Sequence, residues 1–330
     1  MTSRFALVLA LCLFAACGGD NDTPSTPTRP DPIPSGPTIT CPANVTIPTT
    51  TASAQVAYAA PNVSGGTNPV AVVCTPASGA TFNVGATAVT CTVTDARNRQ
   101  ASCSFNVTVS RVPTLQRTTY LAFGDSLTAG EVTVPTTTAL DELGFPSFKL
   151  VVVPSASYPN QLQTLLRNRY LTQAATISVV NSGVGGEWAE DSVRRFSDVY
   201  NQMRPQAVLL LDGVNDLAAL GAPAVTSASA AVDTMARQAR LGGSRVFIAT
   251  LTPPRAGGRL TLPASLITSY NDRMRAIAAQ QGATLVDLYS ALVGNVTLYI
   301  GIDGLHPNEI GYQKMAETFF NAVVATLETP

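Results

Sequence analysis

Histidine is nearly absent from this chain: among 330 residues there is one, His306. Charge is scarce as well. Acidic and basic residues make up 12%, with a formal net charge of -1, where an ordinary globular protein is about a quarter charged. No basic surplus exists to neutralise a phosphate backbone, so nucleic acid is excluded as an expected partner. Cysteine stops at Cys103. No Cys-x-x-Cys pair occurs and no histidine stands near the cysteines, which argues against zinc. One imidazole among scattered carboxylates also lacks the ligand spacings of a metallohydrolase. No metal ion or organic cofactor is implied. What the chain does have is the minimum for acid–base chemistry near neutral pH. That imidazole lies in the run Asp303-Gly304-Leu305-His306-Pro307.

The length allows two domains with real cores. The first residues set the compartment. Arg4 gives a positive start, and Phe5 to Ala16 form an apolar run too short to span a bilayer. It ends Phe14-Ala15-Ala16-Cys17, followed by Gly18-Gly19-Asp20. This resembles a bacterial lipoprotein signal. The resemblance implies a signal over residues 1–17, cut ahead of a lipidated Cys17 that becomes the new N-terminus, and attachment to a membrane through that lipid. Gly18 after the cysteine implies the outer membrane, on its periplasmic or cell-surface side. Residues 18–38 are rich in Pro, Thr, Ser and Asp without apolar periodicity, and read as an extended linker.

Residues 39–110 read as a small β domain. Val89, Cys91 and Val93 alternate with small or polar neighbours, as do Phe105, Val107 and Val109. Cys41, Cys74, Cys91 and Cys103 all fall here, whereas Cys12 and Cys17 belong to the signal. Four clustered cysteines in an exported chain imply two disulfides, with three pairings open. The stretch resembles the HYR domain, an immunoglobulin-like sandwich, through Cys41-Pro42, Cys74-Thr75-Pro76, Ser78-Gly79, Phe82, Gly85, Val89-Thr90-Cys91, Asp95 and Cys103-Ser104-Phe105. The resemblance implies pairing Cys41 with Cys103 and Cys74 with Cys91. It also implies a spacer, or a module with an extracellular ligand, of which the spacer is favoured.

After a joint at Val112 to Arg117, residues 116–330 change pattern to strands alternating with helices. Apolar strands are predicted at Thr119–Phe123, Ile177–Val180, Ala207–Leu211, Arg245–Thr250 and Thr284–Asp287. Helices are predicted at Asn160–Tyr170, Ala189–Met203, Val225–Leu241, Leu266–Gln281 and Pro307–Leu327, the last starting on its proline. This is an α/β fold with a parallel five-stranded sheet flanked by helices. Ligands bind such sheets beyond the carboxyl ends of the strands, and four motifs fall there: Gly124-Asp125-Ser126, Asn181-Ser182-Gly183-Val184-Gly185-Gly186, Gly213-Val214-Asn215-Asp216 and Asp303-Gly304-Leu305-His306.

Together, in this order, the motifs resemble those of the GDSL or SGNH hydrolase family. The resemblance implies a three-layer, flavodoxin-like fold and an esterase or lipase. Ser126 would be the nucleophile, with Asp303 and His306 completing the triad. Ser126, Gly186 and Asn215 would form the oxyanion hole. The chemistry is consistent: a serine hydroxyl needs a base, the base needs an orienting acid, and the tetrahedral oxyanion needs donors. Two look-alikes fail. Thr128 stands where an α/β-hydrolase elbow has its second glycine, and Asp125 with Asp216 reads as turn hydrogen bonding rather than a catalytic pair. Residues 131–157 form a long insert, expected as a loop lining the acyl pocket, while Trp188 and Arg255 are candidates to flank the cleft. The expected activity is an exported serine esterase acting on an acyl ester of a lipid, small alcohol or carbohydrate. The alternatives are a carbohydrate acetylesterase with the same machinery and a catalytically silent adhesion or scaffold lipoprotein.

Overall fold

The computed structural model describes residues 35–329. The expected signal, Cys17 and residues 18–34 of the expected linker lie outside the described residues.

Eight strands make up the amino-terminal region: β1 (Thr38–Thr40), β2 (Val45–Thr49), β3 (Ser53–Gln55), β4 (Asn62–Ser64), β5 (Ala71–Thr75), β6 (Thr81–Asn83), β7 (Gly85–Thr94) and β8 (Gln100–Arg111). Four form one sheet in the order β2-β8-β7-β5, and β1-β4 and β3-β6 pair separately. Val89, Cys91 and Val93 of β7 and Phe105, Val107 and Val109 of β8 are buried, as period-two patterning requires. Disulfides join Cys41 to Cys103 and Cys74 to Cys91. The second links directly opposed residues of β5 and β7. Asp95 organises the turn after β7, where its carboxylate accepts the N–H groups of Thr67, Arg97 and Arg99.

The remaining residues form an α/β domain. It opens with β9 (Thr114–Leu115), β10 (Thr119–Gly124) and the short α1 (Ser126–Ala129). A hairpin of β11 (Glu131–Leu140) and β12 (Pro146–Val152) follows, then α2 (Tyr158–Arg169), β13 (Ser178–Gly183), α3 (Ala189–Met203), β14 (Ala207–Leu211) and α4 (Val214–Leu220). Next come α5 (Ala224–Leu241), β15 (Arg245–Ala249), α6 (Ala264–Gln281), β16 (Thr284–Val286), α7 (Leu288–Leu292) and α8 (Val296–Tyr299). The domain closes with α9 (Glu309–Leu327) and β17 (Glu328–Thr329). The sheet runs β13-β10-β14-β15-β16, with every pairing parallel. Helices cover both faces, which is why Tyr120 to Phe123 and Ala207 to Leu211 are buried without alternation. Tyr158 of α2 stacks on Phe319 of α9, ring centroids 4.5 Å apart.

The structure departs from the sequence reading in several places. Pro307 precedes α9 instead of starting it: Asn308 is the cap, its side chain accepting the Gly311 N–H at 2.9 Å. Residues 131–152 are an antiparallel hairpin, not a loop. The joint at 112–117 contains β9, which pairs with β17.

Among the described residues, no helix is long and apolar enough to cross a membrane. The segment after β15, which supplies one wall of the site, is tethered by a buried side chain. Asn271 accepts the Leu251 N–H at 2.7 Å and donates to the Leu251 carbonyl at 3.1 Å. Asn271→Ala leaves both backbone groups buried without partners, at about 1–3 kcal/mol for each. Urea unfolding should therefore show a clear loss of stability; an unchanged midpoint would contradict the tether.

Candidate active site

The carboxyl ends of β10, β13 and β14 converge, and each hands over to a turn that carries a polar group. After β10, Asp125 caps α1 by accepting the Leu127 N–H at 2.9 Å, and its second oxygen faces the Val214 N–H at 3.4 Å. That cap fixes Ser126, whose Oγ lies 2.9 Å from His306 Nε2. On the other side of the ring, Nδ1 is 2.6 Å from Asp303 Oδ2. An ionised carboxylate can only accept, so Nδ1 carries the proton and Nε2 is left to accept from the serine hydroxyl. The other Asp303 oxygen accepts the N–H groups of Leu305 and His306. Burial alone would raise the Asp303 carboxyl, but the His306 ring and these N–H groups hold it below the ordinary carboxylate range.

Ser126, Gly186, Asn215 and His306 border one cleft of about 380 Å³, together with Glu131, Leu150, Arg259 and Leu260. Gly186 has φ +76°, a conformation that side chains resist. Its neighbours serve other ends: the Gly183 N–H is taken by the Asn181 side chain, and Gly185 lies against Glu131. Asn215 Nδ2 donates to the Glu187 carbonyl at 2.9 Å, which orients the amide and leaves its second N–H free to turn to the cleft.

Of the expected cleft flankers, neither Trp188 nor Arg255 borders it. The Arg255 guanidinium turns to the Ile300 carbonyl at 2.9 Å, and Arg259 takes the place at the rim instead. Asp125 and Asp216 act on backbone, as expected of turn hydrogen bonding; Asp216 accepts the Ala189 N–H at 2.9 Å. The insert does reach the cleft, through Glu131 and Leu150 at the open end of the hairpin.

Sequence reading missed two supports. Arg195 of α3 donates to the Glu187 carboxylate, the Ser182 carbonyl and hydroxyl, and the Gly124 carbonyl, with its guanidinium 4.0 Å above the Phe123 ring. Glu187 directly follows Gly186, a hint that proximity in sequence offered. The second is Asp212, buried just past the end of β14, whose Oδ2 makes no hydrogen bond within normal distance and angle among the described residues.

Residues 122–314 match the GDSL-like lipase/acylhydrolase family and residues 34–109 match the HYR domain. The first match spans more than half of the chain. The chain belongs to the GDSL-like lipase/acylhydrolase family. As a member it is an ester hydrolase. Esterase TesA of Pseudomonas aeruginosa is 28% identical over 154 residues, which are 46% of this chain and 73% of TesA. The lipase/acylhydrolase of Enterococcus faecalis superposes with a TM-score of 0.50 at 22% identity, covering 64% of this chain and 97% of that one. That likeness shows a shared fold.

The family scaffold here sits over buried carboxylates that the backbone does not fully satisfy. Burial, then the charges of Asp216 and Glu187, push Asp212 up to about 7, and burial with the Asp212 charge pushes Asp125 up as well. A carboxyl raised on folding favours the protonated form in the native state. Its contribution is complete below the unfolded value of about 3.9 and is lost as pH rises through the folded one. Asp212→Asn keeps the neutral form at every pH, so its Tm should gain on the parent's between about pH 4 and pH 7. A Tm difference that is flat with pH would show that Asp212 is ionised throughout.

Proposed function

We propose that this protein is an exported serine esterase that cleaves carboxylic esters through an acyl-enzyme on Ser126. His306 Nε2 takes the serine proton as Oγ attacks the carbonyl carbon. Asp303 holds the Nδ1 tautomer and stabilises the imidazolium. The oxyanion is met by the N–H groups of Ser126 and Gly186 and by the Asn215 amide. The tetrahedral intermediate collapses, His306 returns the proton to the departing alcohol, and water repeats the sequence on the acyl-enzyme to release the acid. The observation that carries this reading is the unbroken chain from Asp303 through His306 to Ser126, at 2.6 and 2.9 Å, opening on a cleft. Leu150, Leu260, Leu262 and Leu305 give that cleft an apolar wall. It suits a short or medium acyl chain.

Export is supported by two disulfides, which persist in oxidising compartments, and by the lipoprotein-like start of the chain. Cys17 would carry the lipid that holds the enzyme at the outer membrane, with residues 39–110 as a spacer ahead of the hydrolase at 116–330.

Two measurements test this. A fluorophosphonate probe should label the parent and fail to label Ser126→Ala, and His306→Ala should lower kcat/KM by roughly 10⁴-fold or more with an unchanged melting curve. Labelling that survives in Ser126→Ala would place the nucleophile elsewhere. For the anchor, Cys17→Ser should move the protein from the membrane fraction to the soluble periplasm or medium; retention on membranes would refute lipid attachment at that residue.

A further inference from the structure

One charged group in the cleft has no task in the steps above. Glu131 Oε2 lies 3.8 Å from His306 Nε2, with 17% of its side chain exposed. No donor among the described residues hydrogen-bonds its carboxylate. The placement is built into the fold. The Glu131 carbonyl accepts the Tyr312 hydroxyl at 2.8 Å, and Glu131 is paired in register with Val152 across the hairpin. The space is made by a missing side chain, since a Cβ on Gly185 would fall 2.0 Å from Glu131 Oε1. A largely buried carboxylate with no hydrogen-bond donor is rare unless something supplies one.

We infer that Glu131 reads the alcohol half of the substrate by accepting a hydrogen bond from a free hydroxyl beside the ester oxygen. The inference rests on the acyl-enzyme reading above. His306 Nε2 must hand its proton to the departing alkoxide, so the ester oxygen sits against Nε2 as the C–O bond breaks. The carbon it is attached to then lies next to the Glu131 carboxylate. A vicinal hydroxyl on that carbon's neighbour has an acceptor waiting, and a carboxylate can do nothing but accept. The alcohol is therefore of the polyol class, as in a glycerol or sugar ester. A cationic alcohol fits less well. Recognition of a quaternary ammonium draws on aromatic faces, yet among the described residues no Phe, Tyr or Trp borders the cleft, and Arg259 does. An anionic alcohol would meet Glu131 head on.

The experiment compares esters of one acyl chain on ethanol, 2-methoxyethanol, ethylene glycol and choline, with 3,3-dimethylbutanol as the neutral isostere of choline. The readout is the ratio of kcat/KM values, which does not depend on how much of a variant is folded. The glycol and methoxyethyl esters have leaving groups of similar acidity and differ in the free hydroxyl. The parent should prefer the glycol ester over the methoxyethyl ester by roughly tenfold or more, the scale of a hydrogen bond to a charged acceptor. Glu131→Ala should bring that ratio near one, and Glu131→Gln, which still accepts, should keep part of it. A parent ratio near one would overturn the inference. So would an equal loss on both esters in Glu131→Ala, because Glu131 would then serve the imidazolium alone. A choline ester faster than its neutral isostere, with that advantage lost in Glu131→Gln, would mark cation recognition and also overturn it. Fluorophosphonate labelling run alongside separates the two levels. A labelled parent with a flat ratio refutes the alcohol subsite and leaves the esterase standing, whereas no labelling and no hydrolysis would bring down both.

Discussion

The Arg195 guanidinium is the tie on which the geometry of the site depends. Its N–H groups reach carbonyls at the ends of two neighbouring strands, Gly124 of β10 and Ser182 of β13, and also the Glu187 carboxylate. Glu187 in turn carries the carbonyl that orients Asn215 and directly follows Gly186. One planar, always-charged fork thus links the turn bearing the serine, the turn bearing the glycine and the amide from the third strand. A lysine at this place would offer a point charge and lose the angular control. The Phe123 face beneath the guanidinium adds a cation–π contact that holds its plane in place.

The same small volume treats its carboxylates in opposite ways. Asp303 is buried, yet it is surrounded by donors and stays a strong acceptor for the imidazole. Asp125 and Asp212 are buried with fewer donors and beside other carboxylates, Asp212 next to Asp125 and Asp216 with Glu187 next to Asp212, which drives both toward neutrality. Solvent exclusion is common to all three; the imidazole and N–H groups around Asp303, against the neighbouring carboxylates around the other two, decide the outcome. A hydrolase site of this kind needs one fixed negative charge behind the histidine, and neighbouring acids that stay silent do not compete with it for the proton.

Much of this was legible in the sequence because it obeys short-range rules. Ala207 to Leu211 reads as a strand covered on both faces, and the motifs fall where strand ends must lie. The disulfide pairing came from resemblance, since spacing alone leaves three choices. The misses have physical reasons. α1, α4, α7 and α8 are four to seven residues long, too short to show a helical period. The β11–β12 hairpin is interrupted by Pro135 and a register shift, which breaks the alternation that marks a strand. Pro307 displaced the predicted helix start because its fixed φ suits a first turn, whereas Asn308 holds the actual cap. Arg195, Asp212 and Glu131 matter through neighbours distant in the chain, and no local pattern announces that.

The pairing of β9 with β17 sets how mechanical load enters the enzyme. Thr114 and Thr329 are opposed in register, and Gln116 donates to the Leu327 carbonyl, so the first and last strands of the hydrolase fold clasp each other. Tension arriving along the chain from residues before Thr114 runs along β9 and meets this clasp, whose backbone bonds lie across the direction of pull. β10 begins at Thr119 near the clasp and reaches Gly124 only at its far end. A pull on the leading segment therefore meets the sheet at its amino ends, a full strand length from the serine.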